Sequence, residues 1–188
     1  MATARSRRPA GAGRGTSSDN GEPTDPAAVA REICLRQLAA RARSRAELAA
    51  VLRRRGISEE VAAQVLDRLT EVGLVDDRAF ASAFVSSARA GRGLGRRALA
   101  SELHRRGVEP EASAAALADI QAEDEEETAR LLVARRLPRM SGLAGPVRAR
   151  RLVAMLTRKG YELDLALKVV REAVGEEADD VDACPPEV

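Results

Sequence analysis

The fold is decided by a stretch that reads Leu99-Ala100-Ser101-Glu102-Leu103-His104-Arg105-Arg106-Gly107. The same pattern, two leucines four residues apart followed by basic residues and a glycine, runs from Leu48 to Gly56 and from Leu152 to Gly160. Gly56 and Gly107 are 51 residues apart, and Gly107 and Gly160 are 53 apart. Self-similarity at a fixed period of this length indicates that one supersecondary unit is repeated. Because such units bury their apolar faces against their neighbours, the sequence predicts an elongated array of three units.

The composition favours helices over strands. Of the 188 residues, 45% are hydrophobic but only 2% are aromatic. The aromatic residues are Phe80, Phe84 and Tyr161, so the core must consist mainly of Ala, Leu and Val, of which Ala and Leu are strong helix formers. No segment shows the alternating pattern of a strand. We therefore predict an all-α fold of three-helix, helix-turn-helix-like units.

Helix start and stop signals recur along the chain. Asp25 followed by Pro26 is a typical helix start, and Ser44 with Glu47 has the pattern of a capping box. Ser58 and Asp76 are further N-cap candidates, whereas the repeated glycines end helices by adopting the left-handed conformation. In the third unit these signals predict helices over 124–137, 146–159 and 163–174. The predicted segments are a disordered tail at 1–25, three-helix units at 26–73, 74–121 and 122–174, and an acidic disordered tail at 175–188.

The net charge of +2 hides an uneven distribution of charge. The segment 175–188 holds six acidic and no basic residues, and residues 1–26 hold four basic and three acidic ones. The part between them therefore has 27 basic against 20 acidic residues. A basic balance favours contact with nucleic acid, or with a protein that handles nucleic acid. A solvated helix surface rich in Arg and Glu is the alternative that charge alone leaves open.

Basic residues recur on the outward face of the second helix of each unit. At about 100° per residue, the position two before each glycine lies opposite the leucine stripe, and it is Arg54, Arg105 or Arg158. Cations in a last helical turn also complement the helix dipole by about 0.3 to 1 kcal/mol each, which explains one basic residue per helix better than two or three. We interpret these residues as a surface for a partner protein or nucleic acid. The candidates are Arg53, Arg54, Arg55, Arg96, Arg97, Arg105, Arg106, Arg150, Arg151, Arg158 and Lys159.

No arrangement of residues points to catalysis. His104 is the only histidine, which excludes a histidine-based triad or a multi-histidine metal site within the chain. Cys34 and Cys184 are too few and too far apart for a disulfide framework or a zinc site. The acidic run 123–127 is interpreted as the solvated first turn of a helix. We predict a monomeric, cytoplasmic binding protein with no catalytic residues, no metal, no cofactor, no small-molecule substrate and no membrane segment.

Two longer stretches resemble the signature of the RecX family of regulatory proteins. They read Gly73-Leu74-Val75-Asp76-Asp77-Arg78-Ala79-Phe80-Ala81 and Gly93-Leu94-Gly95-Arg96-Arg97-Ala98-Leu99-Ala100-Ser101-Glu102-Leu103-His104-Arg105-Arg106-Gly107-Val108. The segment from Arg43 to Leu48, followed by Leu52 and Gly56, is similar to the first repeat of that family. The likeness covers about residues 30–174, and the third repeat matches more loosely. The signature residues carried over are Asp76, Asp77, Phe80, Leu99, Glu102, Leu103 and Gly107.

The resemblance implies a partner as well as a fold. It implies an all-helical chain of three repeats that binds the RecA recombinase and modulates recombination, DNA repair and the SOS response, usually by inhibiting filament growth, ATP hydrolysis and strand exchange. The chain would lie in the groove of the RecA filament and bind bare DNA weakly and without sequence preference. A sequence-specific helix-turn-helix regulator is the rival interpretation. Its third helices should then be basic, but the segment 110–120 has no basic residue.

Overall fold

The computed structural model describes residues 25–175, and within that range the chain forms nine α-helices, one short 3₁₀-helix and no strand. The prediction of an all-α fold is confirmed. The two tails predicted to be disordered lie outside the described residues, apart from Asp25 and Gly175. The helices are α1 (Pro26–Ala40), α2 (Arg45–Arg54), α3 (Glu59–Glu71), α4 (Asp77–Arg92), α5 (Arg96–Arg105), α6 (Pro110–Ala118), α7 (Ala122–Arg136), α8 (Gly145–Arg158) and α9 (Leu163–Val174), with the 3₁₀-helix Leu137–Met140 between α7 and α8.

The helix N-termini are fixed by side chains that the sequence singles out. The side chains of Asp25, Ser44, Ser58 and Asp76 each accept a hydrogen bond from a backbone amide in the first turn of the following helix, which satisfies one of the free donors there. The predicted capping box at Ser44 is only half correct. The carboxylate of Glu47 pairs with Arg41 at 3.1 Å, on the side of α2 that faces the end of α1.

Three separate cores hold the helices together. The helices pack in trios, α1 with α2 and α3, α4 with α5 and α6, and α7 with α8 and α9, and each trio encloses its own cluster of buried side chains. The leucines of the repeat are completely buried, as predicted, and they are Leu48, Leu52, Leu99, Leu103, Leu152 and Leu156. Phe80 is also buried, whereas Phe84 is only partly buried at the edge of the second core. We propose unit boundaries at 26–73, 74–121 and 122–174.

The units are joined by a contact that repeats from one junction to the next. Gly107, with φ +67°, lies so close to the first turn of α2 that a Cβ added to it would be 2.3 Å from the Cβ of Ala46. Gly160, with φ +88°, meets the first turn of α5 in the same way, 2.2 Å from the backbone nitrogen of Ala98. In both junctions the glycine turn that ends the second helix of one unit packs against the start of the second helix of the preceding unit. The helices α8, α5 and α2 therefore meet end to end, and we call them the second-helix row.

Hydrogen bonds reinforce the same junctions. The amide of Gly95 donates to the carbonyl of Lys159 at 2.8 Å, and the amide of Arg97 donates to the carbonyl of Gly160 at 3.2 Å. At the other junction the hydroxyl of Ser44 donates to the carbonyl of Arg106 at 2.6 Å. Free carbonyls at the end of one helix thus meet donors at the start of the next, so the helix dipoles align head to tail.

The two ends of the second-helix row differ from its junctions. A Cβ at Gly56, in the turn after α2, would have no neighbouring atom within 4 Å. At the other end α8 is 14 residues long, whereas α2 and α5 have ten residues each. The additional turn of α8 extends past the position where another unit would dock. No helix between residues 25 and 175 is both long enough and apolar enough to cross a membrane.

Candidate partner interface

The structure divides the eleven basic candidates into two groups. Six of them point into solvent and make no side-chain hydrogen bond or ion pair with any residue in the described part of the chain. These free cations belong to the first and third units. They are Arg53, Arg54, Arg55, Arg150, Arg151 and Arg158. The other five are engaged within the protein, and all but Lys159 belong to the second unit.

Glu102 engages the basic residues at the end of α5. Its carboxylate pairs with Arg106, lies 2.8 Å from Arg105 and is 3.7 Å from Arg92. The guanidinium of Arg106 also lies 4.4 Å from the centre of the Phe84 ring, a favourable cation–π geometry. The hydrogen bond from Arg106 and the charges of the three arginines lower the pKa of Glu102 below its usual value. This carboxylate therefore offsets part of the positive charge that the second unit would otherwise present.

Three further candidates bind at the junction between the second and third units. One nitrogen of Arg96 donates to the carbonyls of Leu117 and Ile120, at 2.7 and 3.0 Å, and so satisfies the end of α6. Arg97 pairs with Glu162 at 3.4 Å, and the ammonium of Lys159 donates to the carbonyl of Arg92. Arg97 and Lys159 link the second and third units and Arg96 holds the second unit together, so their charges are partly used before any partner binds.

The two aspartates of the family-like signature have different tasks. Asp76 caps its own helix by accepting from the amide of Ala79 at 2.9 Å. Asp77 reaches into the preceding unit and accepts from the amide of Arg45, the first residue of α2, at 2.8 Å. The pair thus fixes both the start of α4 and its position against the first unit.

Glu125 does for the next junction what Asp77 does for the first. It accepts from the amide of Arg96, the first residue of α5, at 2.7 Å. The interpretation of the acidic run 123–127 as merely solvated was therefore wrong for this residue. It was also wrong for Glu126, which pairs with Arg130 and, at 2.8 Å, with Lys168. Glu125 lies 48 residues after Asp77, outside the 51- and 53-residue spacings of the repeat, so the repeat pattern gave no sign of its role.

Tyr161 lies at a junction, although in the sequence it stands out only as one of the few aromatic residues. It follows the glycine of the third repeat, where the other repeats have Ile57 and Val108. Its side chain is buried, and its hydroxyl donates to the carbonyl of Gly93 in the second unit at 3.2 Å. Burial raises its pKa to about 12. A larger residue with a polar tip is used here because it crosses the junction and satisfies a buried carbonyl.

Comparison with known proteins accounts for nearly all of the described chain. Models of the first, second and third three-helix domains of RecX match residues 30–69, 76–117 and 123–170. The regulatory protein RecX of Streptomyces coelicolor is 50% identical over 173 residues, covering 92% of each chain. That of Thermobifida fusca is 51% identical over 165 residues, covering 88% of this chain and 89% of the relative.

Solved structures show the same arrangement of helices. A crystal structure of RecX from Lactobacillus salivarius superimposes with a TM-score of 0.71 at 20% identity, over 79% of this chain and 96% of that one. A second crystal structure, of a regulatory protein RecX, gives a TM-score of 0.70 at 23% identity, over 80% of this chain and 73% of that one. At these identities the likeness is one of fold.

Proposed function

This chain belongs to the RecX family of regulatory proteins, and from that premise we propose that it binds the RecA recombinase filament on DNA and inhibits it. Inhibition would act on ATP hydrolysis, filament growth and strand exchange in recombination and repair. The chain would do this in the cytoplasm, as a monomer and without a cofactor.

The distribution of free cations along the second-helix row carries the proposal. The two ten-residue helices α2 and α5 rise about 15 Å each, so roughly 30 Å of helix separates Arg54 from Arg158. Cations at that separation suit a long partner with regularly spaced groups better than a compact ligand. A nucleoprotein filament is such a partner, because its phosphates and its subunits both recur along its axis.

The division of the cations refines which units would touch the partner. In the first and third units the side chains of Arg53, Arg54, Arg55, Arg150, Arg151 and Arg158 are free to meet phosphates or carboxylates. The second unit, whose four candidate arginines are held by Glu102 and by contacts near the junction, would contribute mainly shape and position to the interface. The helix-turn-helix alternative gains no support from the third helices, since Arg68 of α3 pairs with Glu71 and Lys168 of α9 pairs with Glu126.

RecA ATP hydrolysis on single-stranded DNA, measured with and without this protein, tests the proposal. We expect inhibition at well below one molecule per recombinase subunit, because one molecule that blocks growth or bridges subunits affects many. A matched control is the protein with Arg54, Arg150 and Arg158 replaced by glutamine, which leaves the three buried cores unchanged and should inhibit less. Unchanged ATP hydrolysis and strand exchange at equimolar protein would show that the proposed function is wrong.

A further inference from the structure

An open groove lies at the junction of the second and third units. Its volume is about 790 Å³, and it is formed by the end of α4, the loop that follows and one side of α7. Four cations line it, namely Arg89, Arg92, Arg135 and Lys159, and no described residue that lines it is acidic. Leu131 adds an apolar wall that is 52% exposed. The groove therefore offers positive charge beside an apolar surface, a combination that fits an acidic segment with some apolar side chains.

Two of these cations have no partner of their own. Arg89 on α4 and Arg135 on α7 make no side-chain hydrogen bond or ion pair with a residue in the range 25–175. The other two are only partly satisfied, since Arg92 is 3.7 Å from Glu102 and Lys159 donates to a single carbonyl. A free cation on each wall makes the groove a receptor for carboxylates or phosphates.

The last described helix ends at the level of this groove, on the opposite side of α7. Glu126 and Arg130 of α7 pair with Lys168 and Glu172 of α9 at 2.8 and 3.0 Å. The partners are 42 residues apart in both pairs, so α7 and α9 run side by side in the same direction. The same register places Gly175, where α9 ends, beside residue 133 of α7. Residue 133 is within one helical turn of Arg135, so α9 ends at the height of the groove along α7.

The sequence that follows has the complementary charge. Residues 176–182 include five acidic residues, Glu176, Glu177, Asp179, Asp180 and Asp182, and two apolar residues, Ala178 and Val181. An α-helix with its side chains is about 10 to 12 Å across. An extended chain covers about 3.3 to 3.6 Å per residue. Half the circumference of such a helix is about 16 to 19 Å, so about five extended residues pass over α7 from the end of α9 and reach the groove.

We propose that the acidic segment 176–182 crosses α7 and that its far end docks in the groove between the second and third units. The carboxylates of Asp180 and Asp182 pair with Arg89 and Arg135, and Val181 lies against Leu131. The docked segment competes with any polyanion for the same cations, so it weakens the binding of nucleic acid. This last consequence rests on the proposed function, whereas the docking itself does not.

Disulfide trapping tests the docking without DNA or recombinase. Cys184 lies nine residues after Gly175, and the other native thiol, Cys34, is completely buried, so only Cys184 is available to pair with an introduced cysteine. We would compare Leu131→Cys, in the groove, with Leu163→Cys at the start of α9. The two side chains have the same exposure, 52%. Leu163 lies about 17 Å from the end of α9, within the roughly 30 Å that nine extended residues can span.

Docking predicts that the disulfide within one chain forms about tenfold faster in Leu131→Cys than in Leu163→Cys, because it raises the local concentration of Cys184 at the groove. The difference should disappear in about 1 M salt, where the Debye length falls to roughly 3 Å. It should also disappear when the five acidic residues are replaced by their amides, or in Arg135→Glu. The proposal would be overturned by equal rates for the two variants at low salt, or by a difference in rate that salt does not change. It would also be overturned if disulfides formed only between two chains, which would indicate a second copy of the chain as the occupant of the groove.

The regulatory consequence has its own measurement. Deletion of residues 176–188 should strengthen binding to a single-stranded oligonucleotide at low salt by about tenfold, or 1.4 kcal/mol. The deletion combined with Arg89→Gln and Arg135→Gln should lose that gain. Preferential trapping with an unchanged affinity would retain the docking and overturn its effect on nucleic acid. Failure of the RecA assay would leave the trapping result unaffected.

Discussion

The repeat glycines permit a comparison in which the chain supplies its own control. Gly56, Gly107 and Gly160 all have positive φ, at +77°, +67° and +88°. Alanine in this region costs roughly 1 to 2 kcal/mol at each position. Gly56 has open space around it, but a Cβ at the other two would enter the first turn of the neighbouring second helix. Overpacking of this kind costs typically about 1 to 3 kcal/mol more.

We therefore expect Gly56→Ala to lower the free energy of unfolding by about 1 to 2 kcal/mol, and Gly107→Ala or Gly160→Ala to lower it by about 2 to 5 kcal/mol. The loss at Gly160 should be the greater of the two, because its neighbour is the backbone of Ala98 as well as a side chain. Separation of the units there would also break two junction hydrogen bonds, worth about 1 kcal/mol each. Equilibrium denaturation in urea, followed by circular dichroism, measures all three variants.

A second substitution tests whether the steric contact with α2 causes the loss of stability in Gly107→Ala. Ala46→Gly removes the Cβ that lies 2.3 Å from the one added at Gly107. Ala46→Gly alone should cost about 0.5 to 1 kcal/mol, yet it should recover stability in the Gly107→Ala protein and recover none in Gly56→Ala. Equal losses for the three glycine variants, or no recovery in the double variant, would refute the end-to-end junction of the second helices.

Three further outcomes follow from single contacts. Leu103→Ala should lower the free energy of unfolding by about 2 to 5 kcal/mol, since Leu103 is completely buried; a loss below about 1 kcal/mol in urea denaturation would contradict the helical register. The pKa of Tyr161 is raised to about 12 in the folded protein, so the free energy of unfolding should fall by roughly 2 to 3 kcal/mol as pH rises from about 10 to 12. The Tyr161→Phe variant should lack this fall. If the variant and the unmodified protein lost the same stability over this pH range, the hydroxyl would not be buried. Replacing three free arginines by glutamine should weaken binding to single-stranded DNA and reduce the slope of log affinity against log salt concentration by about 0.7 for each phosphate that the variant no longer binds. Replacing three engaged arginines should mainly lower the melting temperature. The reverse pattern would contradict the division of the cations. The free set is Arg54, Arg150 and Arg158, and the engaged set of equal charge is Arg97, Arg105 and Arg106.

The features that could be predicted from sequence are those set by nearby residues. Leucines four residues apart define the buried face of a helix, and a side chain such as Ser44 or Asp76 caps the helix that follows it. These signals predict the helices to within a few residues. The predicted end of α7 is within one residue of Arg136, but the 3₁₀-helix Leu137–Met140 that follows it was not predicted.

The junctions could not be predicted in the same way, because their partners are distant in sequence. Asp77 and Glu125 bind amides 32 and 29 residues away, and nothing in their immediate surroundings marks them. Helix packing decides which carboxylate reaches an open helix start, and the repeat pattern contains no information about that packing.

The role of Glu102 is different, because the sequence contained a usable signal. Arg105 and Arg106 follow Glu102 by three and four residues, the spacing at which side chains on a helix meet. The equivalent positions of the other repeats are Val51 and Met155, which cannot pair with arginine. This spacing therefore distinguishes Arg105 and Arg106 from the basic residues at the same positions of the first and third repeats.

Binding of the protein to a pool of random DNA duplexes, with and without RecA, tests the proposed function most directly. A protein of the filament groove should bind the bare pool weakly, with strong sensitivity to salt and with no enriched motif, because phosphate contacts carry no sequence information. Its binding should tighten when RecA filaments are assembled on the same DNA. A helix-turn-helix reader should instead favour one site by roughly a thousandfold or more. An enriched motif bound equally well without RecA would contradict the proposed function.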